Sequence, residues 1–214
     1  FGMVYKGGFI VPVLMGMLLM VIIFSFERFF VINKAIGKGN VDAFVKNIQK
    51  FLSLGHVDSA VAECDKQEGS VANVIKAGLM KYKEMEQDAK MNTEQKCLAI
   101  QKDIEEATAL EMPMLEQNLT VIATLVSVGT LMGLLGTVTG MIKAFSALSS
   151  AGSPDQATLA NGISEALINT ATGISTSALA IIMYNVFTSK IDKLTYSIDE
   201  AGFSIVQTYA STHK

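Results

Sequence analysis

The chain has 214 residues, half of them apolar and only 17% charged, with 17 Lys and Arg against 20 Asp and Glu. That balance excludes a basic nucleic-acid binder, and the placement of the charge excludes an ordinary soluble domain. Asp, Glu, Lys and Arg are missing altogether from Gly7–Phe26, Gln117–Ile142 and Ala166–Ser189, each long enough to cross the roughly 30 Å hydrocarbon layer as a helix.

In chain order, the first element is a membrane helix over 7–26. Lys6 precedes it as in a signal peptide, but the apolar run is too long and lacks a small-x-small site before Glu27-Arg28, so it is expected to persist as a span. The chain opens at Phe1 rather than Met, and residues upstream are expected to have been trimmed.

Residues 27–116 read as a polar helical insert. Asn40 caps a helix with Val41, Phe44, Val45, Ile48, Phe51 and Leu52 at amphipathic spacing. A short helix follows at Val57–Cys64, and Ser70 is expected to cap the next, with Val71, Val74, Ile75 and Leu79 on one face. Gly37, Gly39, Gly55 and Gly69 punctuate these pieces. Asn92 and Gln95 have the spacing of a reciprocal cap. From there to about Phe145 the pattern predicts one long helix of roughly 80 Å, kinked at Pro113 and entering the membrane as span two, 117–145.

A short outer loop, 146–153, leads to Pro154 at the first position of the next helix. That helix covers 154–189, including span three, and continues as a helical tail over 190–214 through Ile191, Leu194, Ile198 and Ile205. The fold class is therefore all-α, with three membrane helices, a helical insert and long extensions of helices two and three. Arg28, Lys34, Lys38, Lys102, Lys190 and Lys193 lie on one side of the spans, against Lys6 and Lys143 on the other. The positive-inside rule then places insert and C-terminus in the cytoplasm and the N-terminus outside, which is the periplasm if the membrane is a bacterial inner membrane. Cys64 and Cys97 have no metal-ligand spacing and read as free thiols.

The two later spans carry unusual polarity. Gly129/Gly133 and Gly136/Gly140 are small-x-x-x-small pairs, a packing device in lipid. Packing alone leaves the hydroxyls unexplained. Thr130, Gly133, Thr137 and Gly140 fall within about an 80° arc of one helix. In span three, Glu165, Asn169, Thr172 and Thr176 share a face, flanked by Thr170, Gly173, Ser177 and Ala180. Such faces belong against protein or water. Helices two and three are expected to line a cavity completed by oligomerisation, with helix one facing lipid.

Enzyme chemistry is not expected. No Gly-Lys-Ser/Thr triplet forms a phosphate loop, both histidines (His56 and His213) lie outside the spans, and no Asp lies within one. No cofactor or metal is expected. Glu165 is the one ionisable group beside the cavity, either as a simple contact to Lys143 or as a proton or cation entry point. A proton path needs a relay group near the midplane, so that group should come from a different polypeptide.

The segments LLGTVTGMIKAF and GISEALINTATGISTSALAIIMYNVF resemble the TolQ/ExbB/MotA proton-channel family, most of all its ExbB branch. Glu27-Arg28-Phe29, Cys64, Ala77–Leu79 and Ile122–Leu125 extend the likeness over almost the whole chain. The resemblance implies an inner-membrane homopentamer in the lipid bilayer, enclosing ExbD-like single-span subunits that each bear a membrane Asp. It also implies a TonB-like protein energised by the proton motive force; the charge balance already speaks against a nucleic-acid partner. A TolQ-like or gliding-type motor, or a non-conducting scaffold, are the rival readings. By the same resemblance Thr137 and Thr170 are pore threonines, Glu165 is the span-three glutamate, and Tyr184-Asn185 is the pair at the cytoplasmic end. The family commonly has proline where Thr130 and Leu179 stand, so its kinks do not carry over.

Overall fold

A computed structural model describes residues 8–150 and 156–213, with backbone only at 149 and 150. Its helices are α1 (Ile10–Ile36), α2 (Val41–Ser53), α3 (Val57–Gln67), α4 (Gly69–Gln87), α5 (Thr93–Glu116), α6 (Leu119–Ser150) and α7 (Gln156–Thr212). No strand occurs among the described residues. Three stretches, beginning at Ile10, Thr93 and Gln156, contain a window long and apolar enough to cross a membrane. The fold is that of an all-α membrane protein. The chain divides into two compact units: one takes residues up to Arg28 with Asn118–Val186, the other Phe29–Gln117 with residues from Phe187 onward.

In the first unit, α1 begins with Pro12 in its opening turn, where a missing N–H costs no intrahelical bond. Val11, Leu14, Met17, Val21, Ser25 and Arg28 form its buried stripe at steps of three and four. The expected span over 7–26 is followed by no break: the helix continues to Ile36 and stops at Gly37, which has φ +77°. The expected helix start at Pro154 lies outside the described residues, as do residues 151–153 of the outer loop. On its N-terminal side helix continues to Ser150, beyond the loop start expected at 146.

In the second unit, Asn40 caps α2 by accepting from the Asp42 N–H at 2.9 Å, and Val41, Phe44, Val45, Ile48 and Leu52 are buried. Ser70 does not cap α4. The cap position is Glu68 at φ +56°, and Gly69 at φ +85° already opens the helix. Backbone proximity explains the pair of glycines: a Cβ on Gly69 would collide with Ala35 O, and one on Gly37 would collide with Glu68 O. The Lys38 N–H donates to Gln67 O at 2.6 Å across this crossing. Asn92 and Gln95 form the reciprocal cap of α5. Gly78 of α4 and Gly202 of α7 both open onto the Ile104 side chain of α5, so these three helices meet at one buried isoleucine.

The single long helix expected from Asn92 to Phe145 is corrected to two. Pro113 lies inside α5 without ending it, and the break falls four residues later, at Gln117–Asn118. Gln117 takes an extended ψ of 140° while its N–H donates to Pro113 O. Asn118 then adopts φ +65°, a left-handed conformation that asparagine tolerates better than most residues. Its Nδ2 donates to the Glu27 carboxylate at 3.2 Å, and Glu27 is also paired with the buried Arg28.

Candidate functional site

The site is built on the antiparallel seam between α6 and α7. Gly129, Gly133, Gly136 and Gly140 of α6 are all buried, and α7 answers with Gly162, Ala166, Gly173 and Ser177. The backbones nearly touch. A Cβ on Gly173 would lie 2.7 Å from both Gly129 O and Gly133 Cα; one on Gly140 would lie 2.8 Å from Ala166 N and Gly162 O. Close approach of this kind maximises dispersion between helices where lipid supplies no hydrophobic drive. On α7 the glycine pattern by itself points only to Gly173; the small-x-x-x-small spacing of Gly162 and Ala166 is the signal for the rest of that half of the seam.

Two polar rungs cross the seam, one helical heptad apart. Thr130 Oγ1 donates to Ser177 Oγ at 2.9 Å. Thr137 and Thr170 hydrogen-bond to each other through their hydroxyls. Both also approach one carbonyl: Gly133 O lies 3.3 Å from Thr137 Oγ1 and 3.4 Å from Thr170 Oγ1, with Ala166 O 3.2 Å from the latter. Each hydroxyl has one proton and two lone pairs. One proton serves the shared bond, the other goes to a carbonyl, and lone pairs remain to accept from a further donor. Thr137 also heads a surface groove along α6, lined by Val138, Met141, Ile142, Phe145 and Ser146.

Toward the end of α6, Lys143 Nζ donates to Glu165 at 2.7 Å, with the Glu165 side chain 13% exposed and that of Lys143 58%. The Glu165 carboxylate lies against the backbone of Gly8, where a Cβ would collide with Oε1. Glu165 is thus an ion-pair partner in this chain.

The expected polar face of span three needs correcting. Asn169 and Thr176 are both 0% exposed, so within one chain they are interior groups and not lining for an open surface. Thr172 and Thr176 return their hydroxyl protons to Ile168 O and Thr172 O, the usual way a helix settles a threonine. The open polar edge instead passes through Thr130, which is exposed, and the half-buried pair Thr137 and Thr170. A plain count of 100° per residue puts Thr170 at the rim of the polar face, and the glycines draw that rim onto α6. Tyr184 is half-buried and Asn185 exposed, further along α7.

Residues 66–200 match the MotA/TolQ/ExbB proton channel family, a stretch covering most of α4 through α7 and including both rungs. The chain belongs to this family. Among curated relatives, the Tol-Pal system protein TolQ of Pseudomonas aeruginosa is 27% identical over 157 residues, 73% of this chain and 68% of that protein. The putative biopolymer transport protein ExbB-like 3 of Synechocystis is 36% identical over 88 residues, 40% of this chain and 42% of that protein. The biopolymer transport protein ExbB of Pseudomonas putida is 33% identical over 86 residues, 40% of this chain and 26% of that protein. The matches to the two ExbB relatives span less than half of their length. The family's multi-pass bacterial inner-membrane setting agrees with the three apolar spans.

Proposed function

We propose that this chain is the ExbB-like subunit of an inner-membrane proton channel that uses the proton motive force to energise TonB-dependent outer-membrane transport. The Thr137–Thr170 hydroxyl pair, on the open edge of the α6–α7 seam, is the observation that carries this reading. Several copies, five in this proposal, stand around a lumen with that edge inward. A single-span ExbD-like partner contributes the membrane Asp, since the central parts of both spans carry no carboxylate of their own. The threonine lone pairs accept from that acid in its protonated form or from water beside it, and Glu165 with Lys143 sets the charge near the outer mouth. The N-terminus is periplasmic and the C-terminus cytoplasmic.

The test is proton flux into liposomes holding the chain co-purified with its single-span partner. Thr137→Val and Thr170→Val keep side-chain shape but remove the hydroxyl; each should assemble and lose most of the flux. Wild-type flux in both variants would assign the pair to packing alone. A TolQ-like motor with a different cargo is the second reading, favoured by the longer stretch of this chain that the TolQ relative covers. Restoring growth to a bacterium that lacks its ExbB, but not to one that lacks its TolQ, would decide for the first.

A further inference from the structure

Asn169 is the least satisfied polar side chain among the described residues of the membrane unit. It is 0% exposed, and neither Oδ1 nor Nδ2 has a hydrogen-bond partner. A buried amide left this way loses its hydration without compensation, which is why nearly all such groups are paired with protein or with ordered water. The sequence makes special room for it. A Cβ on Gly136 would collide with Asn169 Cβ and lie 2.8 Å from Nδ2, so the amide rests on bare backbone of α6.

Thr170, the next residue, bonds to Thr137, Gly133 O and Ala166 O and makes no hydrogen bond to the Asn169 amide. Thr172 and Thr176 donate their protons to carbonyls of their own helix, and neither oxygen accepts from Asn169 Nδ2. A helix from another polypeptide cannot reach a group that one chain already encloses. Water is the remaining molecule small enough to supply both a donor for Oδ1 and an acceptor for Nδ2. Asn169 and Gly136 are the immediate chain neighbours of Thr170 and Thr137, so water bound there adjoins the hydroxyl rung.

We propose that Asn169 holds an internal water in the α6–α7 seam and that this water extends the Thr137–Thr170 pair into a polar path inside the subunit. Its place in a path rests on the channel reading; the binding of water does not. Binding is tested on the full chain, assembled with its partner in bilayers and labelled at asparagine, by water-edited solid-state NMR. Magnetisation should pass from water to the Asn169 Nδ2 protons, and its absence from that signal overturns the site.

The path is tested by flux through the same complex. Asn169→Ala should reduce it about fivefold, the effect of one ordinary hydrogen bond at the barrier. Asn169→Ser, which restores one donor and acceptor, should recover much of the loss. If Asn169→Ala does not assemble, the serine variant against wild type carries the comparison, with a milder reduction expected. Unchanged flux in the variant that assembles overturns the path. A wild-type complex with no flux at all would count against the channel reading and leave the water result standing.

Discussion

Thr137 of α6 and Thr170 of α7 are hydrogen-bonded to each other and both lean on the carbonyl of Gly133, so one backbone oxygen organises two side chains from facing helices. The arrangement exists because Gly133 and Gly173 let the helices close to backbone contact just beside it. Packing and polarity are therefore not competing explanations of the glycine-threonine pattern. The glycines set the distance at which the hydroxyls can meet.

The first prediction concerns that coupling. In a double-mutant cycle of Thr137→Val and Thr170→Val, the two substitutions should be non-additive by roughly 0.5–1.5 kcal/mol, the range for side-chain hydrogen bonds between membrane helices. Reversible unfolding of the purified chain in mixed micelles measures it. Additive losses would mean that the hydroxyls are satisfied separately by carbonyls of their own helices.

Glycine substitutions should separate sharply by position. Gly173→Ala places a Cβ 2.7 Å from Gly129 O and Gly133 Cα, and backbone on both sides leaves nothing flexible to yield. The helices must part, with an expected loss of about 2 kcal/mol or more and reduced assembly. A methyl group added to Gly16 in α1 would have nothing within 4 Å, so Gly16→Ala should be neutral or stabilise by up to about 1 kcal/mol through helix propensity. Thermal melts of the two variants side by side make the comparison.

How far the sequence reveals the structure depends on how local the determining physics is. Asn40 and Asn92 announce their helices because a capping side chain reaches only two or three residues ahead. The buried stripe of α2 is legible for the same reason: its period lies in a dozen consecutive residues. Ser70 is the better cap by residue type, but it loses to a backbone crossing with Ala35 and Gly37, more than 30 positions away. Pro113 is the conspicuous helix breaker, yet the break belongs to Asn118, whose residue type permits a left-handed φ without requiring it. At the site, spacing identifies Thr137 and Thr170 but does not tell which side of α7 its neighbours will bury. Asn169 and Thr176 share a face with Glu165 by arithmetic, yet the glycine seam and the remainder of the unit enclose them.

Cys64 should behave as an inert thiol. It is 2% exposed, and burial pushes its pKa up to about 12 from an ordinary value of 9.0, with Asp65 adding to the effect. At pH 7.5 a maleimide should label Cys97, which is half-buried, well before Cys64; unfolding should expose both. Between pH 9 and 12 the unfolded chain releases the Cys64 proton while the folded chain keeps it, so this contribution to stability is intact below pH 9 and declines above it. Cys64→Ala should flatten that alkaline decline, as seen in unfolding midpoints taken from pH 8 to 11.

Asn118 gives the last prediction, because two features of one residue can be separated by choice of substitution. Its backbone sits at φ +65° and its amide donates to Glu27 at 3.2 Å. Asn118→Gly keeps the conformation and loses only the hydrogen bond, a loss of about 1 kcal/mol. Asn118→Val loses the bond and also forces a β-branched residue into the left-handed region, a further 1–2 kcal/mol or so. Asn118→Asp keeps the backbone preference but sets a second carboxylate beside Glu27. Its destabilisation should therefore exceed that of the glycine variant at pH 7 and shrink as the pH falls and the introduced carboxyl takes up a proton, while Arg28 holds the Glu27 carboxyl below the usual carboxylate range. If glycine and valine prove equivalent, the left-handed turn is not what separates α5 from α6, and the break must be sustained by contacts on either side of it.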